Sequence, residues 1–277
     1  MNQKLGIALA TGMGLAGFVG TTITAQAATS SKYLSIRTSY VRTKKAMTVG
    51  IKEKVGSKYK LVKVPKNTLL KVDAMASSSA SDGSVKQTAI FTYGAIHYAR
   101  AKKMKYENRV TAKSTPLTKA NFKAVSLKAP IRTQIFRPGT GFKANSANTA
   151  AVSTSGFYLT LDNYLQYYSK TAMAKDSYIA GARWATSSQN YKPTRSIKVT
   201  KVTVSGNTTK IYYKKPLKGL PNKKIAKNSY RLTIKNLKTT GSVGILPVDD
   251  TYDAIASWTN YKINGKAYCF GEIEHGN

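Results

Sequence analysis

Apolar and polar residues alternate with a period of two in several short stretches of the chain, which is the pattern of half-buried β-strands. The alternation is clearest in three runs, at residues 197–204, 211–213 and 230–234. Gly206-Asn207 separates the first two runs and supplies the positive-φ backbone that a two-residue hairpin turn needs. The pattern therefore predicts a β-hairpin followed by a further strand.

The same alternation in the N-terminal part of the chain predicts a second group of strands. Turn residues separate its apolar runs: Gly56-Ser57, where glycine supplies the positive φ, and the segment 64–68, where Pro65 and Asn67 favour a bend. The apolar positions that define the strands are Val41, Met47, Val49, Ile51, Tyr59, Leu61, Val62, Leu70 and Val72.

One amphipathic helix is predicted for residues 161–178. Thr160 suits its N-cap, and Asp162 in the first turn suits the helix dipole. Its apolar stripe consists of Leu161, Tyr164, Leu165, Tyr168 and Ala172. Such a stripe is typical of a helix that packs on a sheet, and ligand binding by its tyrosines is the alternative. The fold class expected is mainly β with minor α: two small β modules, barrel or sandwich-like, and one packed amphipathic helix.

Changes in composition predict how the chain is divided. Residues 1–27 have the features of a secretory signal peptide: Lys4, an apolar run to about Ile23, and Ala25-Gln26-Ala27 as the cleavage site. The alternative is an uncleaved membrane anchor, because the run approaches the length of a bilayer span. Small polar residues at 145–155 predict a boundary between an N-terminal β-rich module, 28–150, and a C-terminal module of helix and strands, 151–277.

The balance of charge is strongly positive. The chain has 45 Lys and Arg against 11 Asp and Glu, a formal net charge of +34. Residues 192–238 contain fourteen Lys and Arg and no acid, and no acid occurs between residues 177 and 248. A solvated surface normally mixes both signs, so we expect an anionic partner that offsets the self-repulsion. The alternative is a solvated face that binds nothing.

The lysines of the predicted sheets are therefore the candidate polyanion-binding residues. Those of the hairpin and the loop after it are Lys198, Lys201, Lys210, Lys214, Lys215, Lys218, Lys223, Lys224 and Lys227, and those of the N-terminal strands are Lys58, Lys60, Lys63 and Lys66. Lysine greatly outnumbers arginine, and lysine is a point charge without the planar fork that recognises bases. We expect nucleic acid to bind non-specifically only.

Catalytic and metal-binding motifs are sparse. Cys269 is the single cysteine, and His97 and His275 are the only histidines. Cys269 and His275 lie six residues apart, a spacing that permits a thiol and its base, but nothing supports such a pair and no third orienting group accompanies them. The apolar context of Cys269 predicts a buried, inert thiol. No zinc spacing, calcium loop or phosphate-binding glycine motif is present. We therefore predict no enzyme activity, no metal and no cofactor.

Residues 58–72, KYKLVKVPKNTLLKV, carry a resemblance to a known class of proteins. The segment resembles the small lysine-rich β modules, SH3-like or surface-layer-associated, of exported surface proteins of lactobacillus type. The resemblance implies attachment to the cell wall by a small barrel, and it carries over no ligand-binding residue. A similar Lys-Asn-hydroxyl turn before a strand recurs at 227–229 and suggests two related modules.

These observations together predict a secreted, extracellular and wall-associated protein of a Gram-positive cell, with no membrane span after removal of the signal. Its expected partners are anionic wall polymers of the teichoic acid type, bound non-covalently through lysines. Adhesion to host surface glycans or matrix is a further expected role. The alternative is a secreted hydrolase of wall or matrix polymer whose basic face is a targeting element.

Overall fold

The computed structural model describes residues 32–79, 85–92, 96–105, 111, 113–127, 132, 135–141, 154–174, 192–245 and 254–275. The predicted signal peptide lies outside these residues, as does most of the predicted boundary segment. The described chain is mostly β-sheet, which confirms the mainly β fold class. Residues Lys32–Asn277 form one compact unit.

The first seven strands build two antiparallel sheets. These strands are β1 (Tyr40–Thr43), β2 (Met47–Val55), β3 (Lys58–Val64), β4 (Leu69–Ser79), β5 (Val85–Thr92), β6 (Thr115–Pro116) and β7 (Phe122–Ala124). Five of them form one sheet in the order β6-β5-β4-β1-β7, and β2 pairs with β3 in a separate hairpin. Helix α1 (Tyr98–Ala101) lies between β5 and β6 in the chain.

The two N-terminal sheets share one apolar core. Val41 and Phe91 of the five-stranded sheet are buried in the same cluster as Val49 and Val64 of the hairpin. The side chains of a strand alternate between its faces, and most of the predicted apolar positions reach this core. Tyr59 and Leu61 of β3 are exceptions, because both are exposed beside the lysines of that strand. Burial of these apolar residues holds the hairpin on the sheet.

The remaining nine strands form one larger sheet. They are β8 (Arg137–Pro138), β9 (Gly156–Leu159), β10 (Tyr164–Tyr168), β11 (Arg195–Ser205), β12 (Thr208–Tyr213), β13 (Lys223–Ala226), β14 (Ser229–Ile245), β15 (Ala254–Ile263) and β16 (Lys266–His275). Their order is β8-β16-β15-β14-β12-β11-β10-β9, and β13 pairs with β14 outside this path. Helix α2 (Lys170–Ala174) follows β10.

The two edges of this sheet meet, so the sheet is nearly closed and barrel-like. Phe136, next to β8, and Phe157 of β9 exchange two backbone hydrogen bonds, with N–O distances of 2.8 and 3.0 Å. Their rings lie inside, where Phe136 meets the edge of Tyr261 at a centroid distance of 4.9 Å. Closure removes the exposed edges that a flat sheet of this size would present.

The predicted turns are confirmed. Gly206 has a φ of 53° in the two-residue turn between β11 and β12, where Ser205 pairs with Thr208. Asn67 and Asn228, with φ of 66° and 51°, occupy the two Lys-Asn turns. These two turns differ in what they connect, because the first joins β3 to a strand of another sheet and the second closes the β13–β14 hairpin.

The predicted helix at 161–178 is wrong over most of its described part. Thr160 accepts a hydrogen bond from the backbone N–H of Tyr164 (2.8 Å), but the motif closes the β9–β10 turn, with Asn163 at a φ of 66°. Tyr164–Tyr168 then forms β10, because aromatic residues suit a strand and both β9 and β11 pair with it. Only the five residues of α2 are helical.

The two groups of strands also contact each other. The backbone N–H of His97 donates to Asp162 Oδ1 (2.9 Å), and that of Tyr98 donates to Gln166 Oε1 (2.7 Å). Together with the single compact unit, these bonds give no support to two independent modules. The boundary at 150/151 stays a prediction, and β8, which precedes it, already belongs to the larger sheet.

Candidate polyanion-binding face

All thirteen lysines predicted to bind polyanions are exposed, and they lie in two groups. The group on the barrel-like sheet comprises Lys198 and Lys201 on β11, Lys210 on β12, Lys214, Lys215 and Lys218 in the following loop, Lys223 and Lys224 on β13, and Lys227 in the next turn. The second group comprises Lys58, Lys60 and Lys63 on β3 and Lys66 in the turn after it. The two groups belong to different sheets.

Strand pairing aligns four polar residues in a row across the barrel-like sheet. Lys201 of β11 pairs with Tyr212 of β12, Tyr212 pairs with Arg231 of β14, and Arg231 pairs with Lys223 of β13. Directly paired residues of antiparallel strands point to the same face. With strands about 4.8 Å apart, this central row spans roughly 14 Å.

Three further lysines on the same outer face continue the positive charge beside the central row. Lys210 lies two residues before Tyr212 on β12 and therefore shares the face of Tyr212. Lys235 lies four residues after Arg231 on β14 and shares the face of Arg231. Lys235 pairs with Lys262 of β15. We call these seven residues the basic face: Lys201, Lys210, Tyr212, Lys223, Arg231, Lys235 and Lys262.

The sequence folds this way because the inward positions of the same strands are apolar. Ile211 and Tyr213 on β12, and Leu232 and Ile234 on β14, are buried in the core of the barrel-like sheet. Alternation then leaves the intervening residues of both strands on the outer face. The core thus fixes the direction of the basic side chains.

Aromatic rings lie between the cations. Lys201 Nζ is 6.0 Å from the centroid of the Tyr212 ring, and Lys198 Nζ is 5.7 Å from that of Tyr164. Tyr164 also stacks on His97 with a centroid distance of 3.9 Å. Burial lowers the pKa of His97 and outweighs the opposite effect of Asp162, so the imidazole adds no charge at neutral pH. These cation–π contacts hold the ammonium groups near the sheet.

The basic face has no internal neutralisation in the described part of the chain. The one ion pair found there joins Arg100 to Glu53 (3.2 Å), in the N-terminal sheets. Arg231 Nε is buried and has no hydrogen-bond partner among the described residues. Charges one strand apart lie within the Debye length of about 8 Å at physiological salt, so their potentials add.

The loop between β12 and β13 presents three more lysines on a rigid support. Asn222 accepts hydrogen bonds from the Tyr213 hydroxyl (2.8 Å) and the Leu217 N–H (2.9 Å). Its amide donates to the carbonyls of Leu217 and Leu220 at 3.0 and 2.8 Å. Leu217 and Leu220 are buried in the barrel-like core, so Lys214, Lys215 and Lys218 protrude from a fixed loop.

Sequence reasoning missed four members of the basic face: Tyr212, Arg231, Lys235 and Lys262. The first three alternate with apolar residues that were assigned to strands, so the alternation alone contained the signal for them. Lys262 lies in a separate strand, and only the β14–β15 register places it beside Lys235.

Cys269 and His275 lie far apart along one strand. Both lie on the extended strand β16, where six residues span about 20 Å. The Cys269 thiol is buried, and burial raises its pKa to about 11, although Arg137 opposes the shift. A thiol in this state is a weak nucleophile at neutral pH.

The described residues show neither a metal-binding cluster nor a membrane-crossing helix. No group of three His, Cys, Asp or Glu side chains there is arranged to hold a metal ion. Neither α1 nor α2 has the length and hydropathy of a membrane-crossing helix.

No protein-family model, curated protein or solved structure matches this chain. The resemblance of residues 58–72 to exported surface modules therefore stays a prediction. The function is argued from the basic face.

Proposed function

We propose that this is an exported cell-surface protein held non-covalently on anionic wall polymers of the teichoic acid type, and that the basic face binds the polymer. The observation that supports this proposal is the central row of Lys201, Tyr212, Arg231 and Lys223, beside which Lys235 faces Lys262. A row of unneutralised cations on a rigid sheet favours a linear polyanion.

The chemistry of the side chains favours a phosphate polymer over a single specific ligand. Exposed lysines make individually weak contacts with phosphate, and their sum becomes strong because each contact releases condensed counterions. The row spans several phosphates of an extended chain, while the half-buried ring of Tyr212 offers an apolar surface between charges. Sulfated or carboxylated host glycans share this chemistry, which supports adhesion as a second role.

The proposal is tested by retention of the purified protein on isolated cell walls across a salt series, with walls stripped of teichoic acid alongside. We expect retention to fall steeply with salt and to be lost on stripped walls. Retention that is indifferent to both salt and stripping would overturn the proposal.

Two triple variants locate the binding surface. Lys201→Gln, Lys210→Gln and Lys223→Gln removes three charges from the basic face, and Lys86→Gln, Lys119→Gln and Lys123→Gln removes three exposed charges from the N-terminal sheets. The first variant should reduce the slope of log K against log salt by roughly two to three, and the second by less. An equal reduction of this slope in the two variants would show that net charge alone governs binding.

A further inference from the structure

A cavity of about 250 Å³ lies where the N-terminal sheets meet the β9–β10 turn. Arg42 of β1, Ile51 of β2 and Met104 after α1 contribute to its walls, together with residues 64, 65 and 67–70. Leu161, Asp162 and Asn163 of the β9–β10 turn complete the lining. The cavity is separate from the basic face, whose residues do not line it.

The lining of the cavity is apolar on one side. Ile51, Val64, Leu70, Met104 and Leu161 all line it, and each is at most 6% exposed. Apolar surface held by two packed sheets favours an apolar group over water. This side of the cavity therefore suits the hydrocarbon or aromatic body of a ligand.

Two guanidinium groups border the same cavity. Arg42 Nη1 donates to the carbonyl of Asn67 (2.7 Å), and Arg100 Nε donates to Glu53 (3.2 Å). A guanidinium has five N–H donors, and these contacts use one donor of each group among the described residues. No described residue takes the remaining donors, and we assign them to an anion at the cavity.

The charges around the cavity leave a small positive excess. Arg132 lies close by, donating to the carbonyl of Thr160 and to Asn163 Oδ1, both at 2.7 Å. Arg42, Arg100 and Arg132 stand against the carboxylates of Glu53 and Asp162. Among these five described side chains the balance is one positive charge, which matches a ligand with one negative charge.

We propose that this cavity binds a small amphipathic carboxylate, with its apolar body against Ile51, Val64, Leu70 and Met104 and its carboxylate at Arg42 and Arg100. Guanidinium and carboxylate form charge-assisted, frequently bidentate hydrogen bonds. At roughly 30 Å³ per non-hydrogen atom, taken from liquid water, the cavity holds about eight such atoms. Octanoate suits this volume as a probe, because its alkyl chain fits the cavity while its carboxylate lies at the guanidinium groups on the border.

The test is calorimetric titration of the full chain with octanoate, octan-1-ol and octylamine, which share one alkyl chain and differ in charge. We expect octanoate to bind one site with a dissociation constant below about 1 mM. Octan-1-ol should bind at least tenfold more weakly, and octylamine not measurably. Failure of octanoate to bind, or equal binding of octan-1-ol, would overturn the proposal.

Variants separate the cavity from general attraction to a cationic surface. Arg42→Gln and Arg100→Gln should each weaken octanoate binding about tenfold or more, and Ile96→Trp should block the cavity. Arg195→Gln removes the same charge from exposed β11 and should leave binding unchanged. An equal loss in Arg195→Gln would overturn the proposal, and far-UV circular dichroism checks that each variant is folded. Arg42→Gln should be retained on cell walls as well as wild type is. A negative result in the octanoate titration is therefore distinguishable from a negative result for wall binding by the basic face.

Discussion

Lys235 of β14 and Lys262 of β15 are register partners, so two exposed lysines lie directly opposite each other on the outer face of the barrel-like sheet. Like charges in this position destabilise a sheet, by about 0.2–1 kcal/mol. An anion bound across the pair relieves the repulsion. The pair therefore links the stability of the sheet to binding of a polyanion.

Lys262→Glu should stabilise the fold and weaken polyanion binding at the same time. At low ionic strength we expect the free energy of unfolding to rise by about 0.5–1 kcal/mol, because repulsion becomes attraction. The gain should shrink near 1 M salt, where the Debye length is about 3 Å. Urea unfolding of wild type and variant at two salt concentrations measures this gain in the free energy of unfolding. Lys86→Glu on β5, opposite Ser78 of β4, is the control with an equal change of charge. An equal gain in the free energy of unfolding there would assign the effect to net charge.

Gln166→Leu should weaken the connection between the two groups of strands. Gln166 is buried, accepts from the Tyr98 N–H (2.7 Å) and donates to the Tyr158 hydroxyl (2.6 Å). The leucine removes both bonds and leaves the Tyr98 N–H unpaired among the described residues, so we expect a loss of about 1–3 kcal/mol in the free energy of unfolding. Gln87→Leu is the matched control, because Gln87 Oε1 is buried without a hydrogen bond to described residues. A similar loss in both variants would contradict this role for Gln166.

Asn222→Ala should loosen the loop that carries Lys214, Lys215 and Lys218. Four hydrogen bonds are lost, which at about 0.5–1.5 kcal/mol each destabilises the protein by roughly 2–3 kcal/mol after local relaxation. Denaturant unfolding measures the change. Asn222→Asp keeps the two accepted bonds, so its free energy of unfolding should lie between those of wild type and Asn222→Ala. A loss of stability as large as that of Asn222→Ala would show that the donated bonds dominate.

Alkaline pH should destabilise the barrel-like sheet through two buried groups. Burial raises the pKa of Cys269 to about 11 and that of Tyr268 to about 12, from ordinary values of 9.0 and 10.0. Both groups are neutral in the folded state, so their contribution is complete below about pH 9 and is lost as pH rises towards 12.

Comparison of wild type with Cys269→Ala isolates the thiol. The lysines are common to both proteins, so their effects cancel in the difference between the two free energies of unfolding. The advantage of wild type over the variant should decrease by on the order of 2 kcal/mol between pH 9 and pH 11. A difference that is constant with pH would mean that the thiol does not resist ionisation in the folded state.

The predicted turns and the strands around them, among them β2–β4, β11, β12 and β14, were predictable because their signals are local. Gly206 and Asn67 adopt the positive φ that their residue types permit, and the alternation around Ile211 marks the buried face of β12. The region 161–178 misled the prediction because Thr160 and Asp162 suit either a helix or a turn. Residues 164–168 form a strand because they pair with both β9 and β11. A local sequence pattern contains no information about such pairing.

The candidate site was predictable in part for the same reason. The lysines alternate with apolar residues or occupy turns, so their exposure followed from the pattern, as Lys201 and Lys210 illustrate. The basic face as a surface was not predictable, since Lys201, Tyr212 and Arg231 are ten or more residues apart and meet only through the register.

The sequence by itself determined the β-rich character of the chain, its turns and its large positive charge, because propensity, backbone freedom and composition act within a few residues. Tertiary structure alone decided which charges became neighbours, as with Lys235 and Lys262, and where Arg42 meets the β9–β10 turn. It also closed the sheet at Phe136 and Phe157. The reason is register: a shift of one residue moves every side chain of a strand to the other face, and only packing of the whole core fixes it.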